Sequence, residues 1–482
     1  VSAVYHNYIN GEWVDSGTGE TYASLNPANG DVLGYFQKSD ESDVERAIQA
    51  AETAFSDWAE TAAPIRGDVL FTLIRLLEEQ KAELAEIITK EVGKSYREAN
   101  GEVRKTIEAM KQFSGEATRM TGETVPSHDA GIFACTIREP LGVVGVIAPY
   151  NFPLGIGIWK IAPAIIAGNT VIFKPASNTS LISIKIMELF EQAGVPAGVI
   201  NMVTGPGGVI GNAIGSHEKI RAVSFTGSTQ VGLALGKAVS ERGAKMQAEM
   251  GGKNASIVLE DADLDETADN LIVSGFLDNG QRCTGTSRLI VLRAIAEELT
   301  EKLAARARKL KIADGFTEGA DNGPVVDEGQ LKTYLHYVKS AIDEGAVLEF
   351  GGEQLLEDGL DKGFFVAPTL FSGVTKDMTI FKEEIFGPVI AMTVADTYEE
   401  ALELANTSEF GLSSTIYTND LKKAFHFVRH IESGVTHVNI PSNYFENQYP
   451  FGGKKASSIG PREQGSTALD FWTDYKTVYI RP

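Results

Sequence analysis

The sequence predicts an α/β protein built on two doubly wound parallel sheets, and two observations carry this. From residue 143 short apolar runs alternate with helical patterns at the spacing of repeated βαβ units. A second stretch of the same kind runs from residue 254 to 445. The length, 482 residues, is enough for two or three domains with a substantial core.

The elements follow in order. The N-terminal part reads as helical: DVERAIQAAETAFSDW (43–58) and IRGDVLFTLIRLLEEQKAELAEIITKEVG (65–93) place apolar residues three and four apart. TGETVPSHDAGIFACTIREPLG, around 120–140, turns to alternation with turn residues and predicts an extended hairpin. VVGVIAP (143–149) predicts a buried strand and IGIWKIAPAIIAG the helix after it. NTVIFKPA (169–176), GVINMVTG (198–205) and AVSFTGS (222–228) predict further strands. SLISIKIMELFEQAG (180–194), GGVIGNAIGS and TQVGLALGKAVSERG supply the helices between, and KMQAEMGG closes the series. The second stretch opens on the strand NASIVLEDADLD, then includes the helix ELTEKLAARARKLKI and the strands VLEFGG and VIAMTVAD. The tail DFWTDYKTVYIRP alternates aromatic and polar residues, as a strand that pairs with another edge does.

Composition narrows the function. A 43% hydrophobic and 22% charged chain is that of a soluble globular protein, and no apolar run approaches the roughly 20 residues of a membrane span. The net charge of −22 argues against nucleic acid and anionic membranes as partners. Two cysteines make no disulfide framework, and VSAVYHNYINGEWVDSG has no signal-peptide pattern, so a cytoplasmic location is expected.

Few motifs carry chemistry alone. TGPGGVIG offers Gly205 and Gly207, but its third glycine, Gly211, falls one place late for GxGxxG. In FTGSTQVG, Gly227 and Ser228 end a strand and open a helix, where free N–H groups can meet a phosphate. Lys174 ends the strand VIF, at the edge where parallel sheets bind ligands. EVGKS lacks the leading glycine of a P-loop. His426 and His430 share a helical face without the acid of HExxH, so no metal site is expected. Cys283 lies in DNGQRCTGTSR, just beyond a predicted helix and next to Arg282, a cation that would favour thiolate. Cys135 lies in the alternating IFACTIRE and reads as packed. A thiolate attacking a carbonyl needs an oxyanion donor, and hydrolysis of the product needs a base. Asn151, in PYNFP, and Glu249, in AEMGGKN, are candidates for these roles; the plainer readings are a turn asparagine and an exposed glutamate.

Together PYNFP (149–153), KPAS (174–177), FTGSTQVG (225–232), EMGGKN (249–254), GQRC (280–283), EEIFGPV (383–389) and PFGG (450–453) resemble the aldehyde dehydrogenase superfamily along essentially the whole chain. The resemblance implies Cys283 as nucleophile, Glu249 as general base, and Asn151 as oxyanion donor beside the Cys283 N–H. It places Lys174 on the adenosine ribose, Ser228 and its turn on the pyrophosphate, and Glu384 and Phe386 on the nicotinamide ribose and ring. Ile147, Pro149, Ser177, Gly207, Phe225 and Gly227 complete the expected cofactor contacts. It further implies a dinucleotide-binding domain (1–121 and 142–251), a catalytic domain (252–445) and a small β oligomerisation element (122–141 and 446–482) of a homodimer or homotetramer.

Departures from the family pattern shape the finer expectations. Ser177 stands where a glutamate that repels a 2′-phosphate is common, so use of both NAD and NADP is expected, with a preference for NADP as the further expectation. Tyr150 stands where tryptophan is common. Succinic semialdehyde dehydrogenases carry an arginine in the helix after NFP, where this chain has Trp159 and Lys160. GQRCTGTSR with SSIGPREQG is more similar to α-ketoglutaric semialdehyde dehydrogenases. Arg282 is the candidate cation for a substrate's distal carboxylate; its alternatives are a loop salt bridge and a neighbour that activates the thiol. The alternative activities are a succinic semialdehyde or broad-range glycolaldehyde-type dehydrogenase, and, in another class, a non-catalytic binding or structural protein on the same fold.

Overall fold

The computed structural model of the protein describes residues 3–482. Two short strands, β1 (Asn7–Ile9) and β2 (Glu12–Val14), and a hairpin, β3 (Thr21–Leu25) and β4 (Val32–Gln37), precede the first helix. The helices are α1 (Glu41–Glu60), α2 (Ala63–Glu79), α3 (Lys81–Val92) and α4 (Tyr96–Glu116). The single helix expected over 65–93 is therefore two. The chain turns at Gln80 (φ −100°, ψ 11°), and both α2 and α3 then pack on α4. No glycine or proline marks that break.

A strand, β5 (Phe133–Pro140), leads into the first sheet: β6 (Val143–Ile147), α5 (Pro153–Ile166), β7 (Thr170–Lys174), α6 (Ser180–Gln192), β8 (Ile200–Met202), α7 (Gly207–Ser216), β9 (Ile220–Thr226), α8 (Thr229–Glu241) and β10 (Lys245–Glu249). Its parallel core runs β8-β7-β6-β9-β10, so strand order reverses between β6 and β9. A crevice outside the carboxyl ends of the strands at such a reversal is where open α/β sheets bind ligands. β1 adds antiparallel to β8, and β2 lies outside it.

The second sheet begins with β11 (Asn254–Val258), α9 (Leu264–Gly275) and β12 (Thr286–Leu292). It continues through β13 (Val347–Phe350), β14 (Thr369–Ser372), β15 (Val389–Ala395), the two-residue β16 (Phe410–Gly411), β17 (Ser413–Tyr417) and β18 (Val435–Val438). The order is β13-β14-β15-β12-β11-β17-β18, parallel except for β13, with β16 outside it. The central strands of both sheets are buried on both faces, as parallel strands are, and β6 reads as a continuous apolar run.

The last segment departs from the expected unit of 122–141 with 446–482. β19 (Lys454–Lys455) pairs with β16, and β20 (Ser458–Ile459) adds antiparallel to β10, at the edge of the first sheet. Only β21 (Thr473–Ile480) pairs with β5, along its whole length. The predicted hairpin within 120–140 is reduced to a bridge between Thr124 and Cys135, because β5 takes the C-terminal strand as its partner. Tyr475, Tyr479, Phe133 and Ile137 leave this ribbon with exposed apolar side chains.

Candidate active site

The loop that carries Cys283, the candidate nucleophile, starts where α9 ends. Asp278, Asn279 and Gly280 are all left-handed (φ 53°, 55° and 62°). Aspartate, asparagine and glycine are the residues that tolerate this conformation, which explains the DNG in the sequence. At Gly280 a Cβ would also lie 2.3 Å from the Gly387 carbonyl oxygen. Side chains hold the turn: Asn279 Nδ2 donates to the carbonyls of Gly323 and Pro324, each at 2.9 Å, and the Val326 N–H donates to Gln281 Oε1 at 3.1 Å. Such a strained stretch persists only when its surroundings over-determine it.

Beyond this turn Cys283 stands in the wall of two cavities. One is a groove of about 400 Å³ along the carboxyl ends of β6, β7 and β9. Its wall includes Ile147, Pro149, Asn151, Lys174, Phe225, Gly227, Ser228, Glu384 and Phe386. The other is a small inner chamber shared with Glu249, Arg282, Trp159 and Glu463. A wider outer funnel, about 450 Å³, shares Phe152, Trp159, Arg282 and Phe445 with that chamber and is also lined by Glu98, Arg104 and Lys105. Ser177 and Gly207 are not in the groove wall. The Ser177 hydroxyl donates to the Gly205 carbonyl at 3.1 Å, and Gly207 opens α7 in the open.

The three candidate catalytic groups are disposed for acyl chemistry. Asn151 is buried, and its Nδ2 donates to the Gln281 carbonyl at 2.9 Å. The Cys283 N–H makes no hydrogen bond within the described residues. Glu249 Oε2 accepts from the Ser458 hydroxyl at 2.6 Å, while its Oε1 is buried without a partner. Gly452 makes room for that oxygen: its φ is +151°, and a Cβ there would lie 2.6 Å from Glu249 Oε1. Burial, reinforced by the Glu463 carboxylate, holds the Glu249 carboxyl well above the usual carboxylate range. Glu463 itself pairs with buried Lys160 and accepts from Trp159 Nε1 at 3.2 Å.

The expectation that Arg282 favours thiolate is not met. Its guanidinium pairs with Glu98 at 2.6 Å and Asp278 at 2.7 Å, so its charge is already answered. Burial, with Glu249, Glu384 and Glu463 nearby, pushes the Cys283 thiol up to about 12. Arg282 Nη1 keeps no partner within the described residues, and neither does the Arg104 side chain at the funnel mouth. The sequence reading missed Arg104, Glu98, Ser458 and Glu463. The first two look like solvated helix charges, and the last two come from a segment without periodicity.

The groove suits a dinucleotide. α8 has no side-chain cap on its first turn, so its leading N–H groups are free for a phosphate. Lys174 is pushed down to about 8 and Glu384 up to about 7, both by burial, although Lys174 Nζ donates to the Pro175 carbonyl at 2.5 Å and Glu384 Oε1 accepts from the Gly252 N–H at 2.9 Å. Elsewhere, His426 and His430 stack with ring centroids 4.0 Å apart, but no group of three or more metal-ligating side chains gathers among the described residues. No helix among them is long and apolar enough to cross a membrane.

Comparison with known proteins agrees with this geometry. Residues 13–478 match the model of the aldehyde dehydrogenase family. The chain is 46% identical to an α-ketoglutaric semialdehyde dehydrogenase of Bacillus subtilis, over 99% of this chain and 98% of that protein. It is 39% identical to malonate-semialdehyde dehydrogenase 2 of Geobacillus kaustophilus, over 98% of each. The structure of betaine aldehyde dehydrogenase from Staphylococcus aureus in complex with NAD+ superposes with a TM-score of 0.96 at 32% identity, covering 99% of this chain and 95% of that one. On the family match and on these identities over nearly its whole length, the chain belongs to the aldehyde dehydrogenase family.

Proposed function

We propose that the protein oxidises a semialdehyde acid, α-ketoglutaric semialdehyde in the first instance, to the carboxylate, with NAD or NADP as the hydride acceptor. The observation that carries the chemistry is the shared wall: Cys283 borders both the dinucleotide groove and the chamber that holds Glu249. The Cys283 thiol gives up its proton to solvent and Sγ adds as thiolate to the aldehyde carbonyl; the oxyanion that forms is met by Asn151 Nδ2 and the free Cys283 N–H. A bound nicotinamide would supply the hydride acceptor, so that this adduct can collapse to a thioester on Cys283. Lys174, the first turn of α8 and Glu384 would hold the cofactor in the groove. Glu249, whose ionised form is made more basic by burial, takes a proton from water at its unpartnered Oε1, and the hydroxide releases the acid.

Three observations support the choice of substrate: the likeness to α-ketoglutaric semialdehyde dehydrogenases, the presence of Arg104, Lys105 and Arg282 in the funnel wall, and the roughly 450 Å³ that the funnel offers beyond the chamber. Arg104 and the free Nη1 of Arg282 are the donors offered to a distal carboxylate. Malonate semialdehyde is the second reading, favoured by the relatives near 40% identity. Ser177, in place of an acidic residue, leaves no carboxylate of its own to repel a 2′-phosphate, which supports dual cofactor use. The ribbon of β5 and β21, with its exposed apolar side chains, supports self-association. The test is a kcat/KM series over aldehydes with and without a distal carboxylate, of different lengths, with each cofactor. The reading stands if the five-carbon acid leads and falls if neutral aldehydes match it.

A further inference from the structure

Asn151 must present its amide within a fraction of an ångström, yet it sits in a turn, between β6 and α5. What fixes that turn is a buried ion pair that the chemistry above does not use. Lys94, just before the Ser95 cap of α4, and Glu102, on α4, have side chains only 2% and 1% exposed, and their charged ends lie 3.1 Å apart. Every further hydrogen bond of these two charged ends goes to one place. Lys94 Nζ donates to the carbonyl of Asn151 itself at 2.7 Å and lies 3.9 Å from the centre of the Phe152 ring. Glu102 Oε1 accepts from the N–H groups of Leu154 at 3.0 Å and Gly155 at 3.1 Å. Those amides belong to the first turn of α5, where Phe152 at the cap position offers no side-chain acceptor. The pair thus grips the Asn151 turn by a carbonyl on one side and by two amides on the other.

The same helix face also reaches the nucleophile loop. Glu98, one turn before Glu102, binds Arg282, the residue before Cys283. α4 therefore carries a contact to each half of the expected oxyanion hole, the amide of Asn151 and the N–H of Cys283. A buried ion pair is weak evidence for stability by itself, since desolvation offsets much of its attraction. The convergence of these bonds on residues 151–155 is what gives this pair another role.

We infer that Lys94 and Glu102 are positioning residues that hold the Asn151 amide in register with the Cys283 N–H. This rests on the reading of Asn151 as an oxyanion donor, and the test separates the two. Lys94→Met, Asn151→Ala and the double variant are made in the full chain and assayed with cofactor and semialdehyde, and cofactor affinity is measured on each. Displacement of a catalytic group by about 1 Å can cost about a hundredfold, so Lys94→Met alone is expected to lower kcat/KM by about ten- to a hundredfold with cofactor affinity unchanged. In the Asn151→Ala background the same change is expected to cost less than about twofold, because the donor it positions is gone. Glu102→Gln, which keeps an acceptor for the two amides, is expected to retain more activity than Glu102→Ala. If Lys94→Met does not fold, Lys94→Arg, which keeps the charge but moves the donor, is carried through the same cycle. A loss that is fully additive with a strong Asn151→Ala effect overturns the positioning role while leaving Asn151 in place. An Asn151→Ala enzyme with undiminished activity overturns the reading of Asn151 and this inference with it.

Discussion

The side-chain amide of Asn151 donates a 2.9 Å hydrogen bond to the carbonyl of Gln281, two residues before Cys283. The free site therefore stores its oxyanion donor on a backbone acceptor of the nucleophile loop. Asn151→Ala is expected to lower kcat by about a hundred- to a thousandfold, the range for one lost oxyanion donor, while Asn151→Asp should lose at least as much by placing a carboxylate against the developing charge. Steady-state kinetics on both variants check this.

Burial first, and then the neighbouring carboxylic side chains, push the Cys283 thiol up to about 12, so thiolate is expected to be the minor form in the free protein. Its folded value lies above that of a free thiol, about 8.5. Alkylation by iodoacetamide in the absence of cofactor should therefore keep rising about tenfold per pH unit past that value instead of levelling off there. Cys283→Ala serves as the background for Cys135. A plateau near the ordinary thiol value would contradict the electrostatics described.

Glu249→Gln removes the base but leaves the nucleophile and the groove intact. Reduced nicotinamide is expected to appear in a burst approaching one per site, followed by turnover slowed about a hundred- to ten-thousandfold, as for loss of a general base. Rapid mixing with absorbance detection gives both phases. Loss of the burst as well would mean that Glu249 acts before the thioester forms.

Arg104 and Arg282 should part company on mutation. Arg104 has no ion-pair partner among the described residues, so Arg104→Ala is expected to cost acidic semialdehydes about 1.5–3 kcal/mol in kcat/KM and spare neutral ones. Arg282→Ala strands Glu98 and buried Asp278 together, and breaking such a pair costs about 3–5 kcal/mol of stability. All substrates should suffer there, and the melting temperature should fall. A kcat/KM panel with thermal denaturation on both variants decides it.

Ser177 offers a cheaper comparison. The kcat/KM values for NAD and NADP are expected to lie within about a hundredfold of each other, and Ser177→Glu should shift the ratio towards NAD by placing a carboxylate at the loop after Lys174. A wild-type preference for NAD beyond that range would defeat dual use.

The α/β class was legible because its signal is repetitive: apolar runs of strand length recur between helical patterns, and β6 to β10 lie close to where those runs stand. Short elements carry no such signal. β1, β2 and β20 are two or three residues long and exist because a sheet edge accepts them. The site divides in the same way. Cys283, Glu249 and Asn151 are marked by local motifs, whereas Lys94 stands in EVGKS, which reads only as an incomplete P-loop, and nothing in the sequence joins it to Glu102, with which the fold buries it. Glu98 and Arg282 are far apart in sequence, and no local pattern joins them. Arg282 illustrates the limit best: its proximity to the thiol could be read from the chain, but its neutralisation by Glu98 could not.

The placement of Ser458 on Glu249, and of Glu463 beside it, has a consequence for biosynthesis. In order of synthesis these residues follow the parallel strands of both sheets, β6 to β18. The thiol of Cys283 is thus synthesised long before the groups that complete the hydrolytic half of the site. Until the segment that carries β20 docks on β10, a nascent chain holds its thiol without the Ser458 hydrogen bond that orients the Glu249 carboxyl.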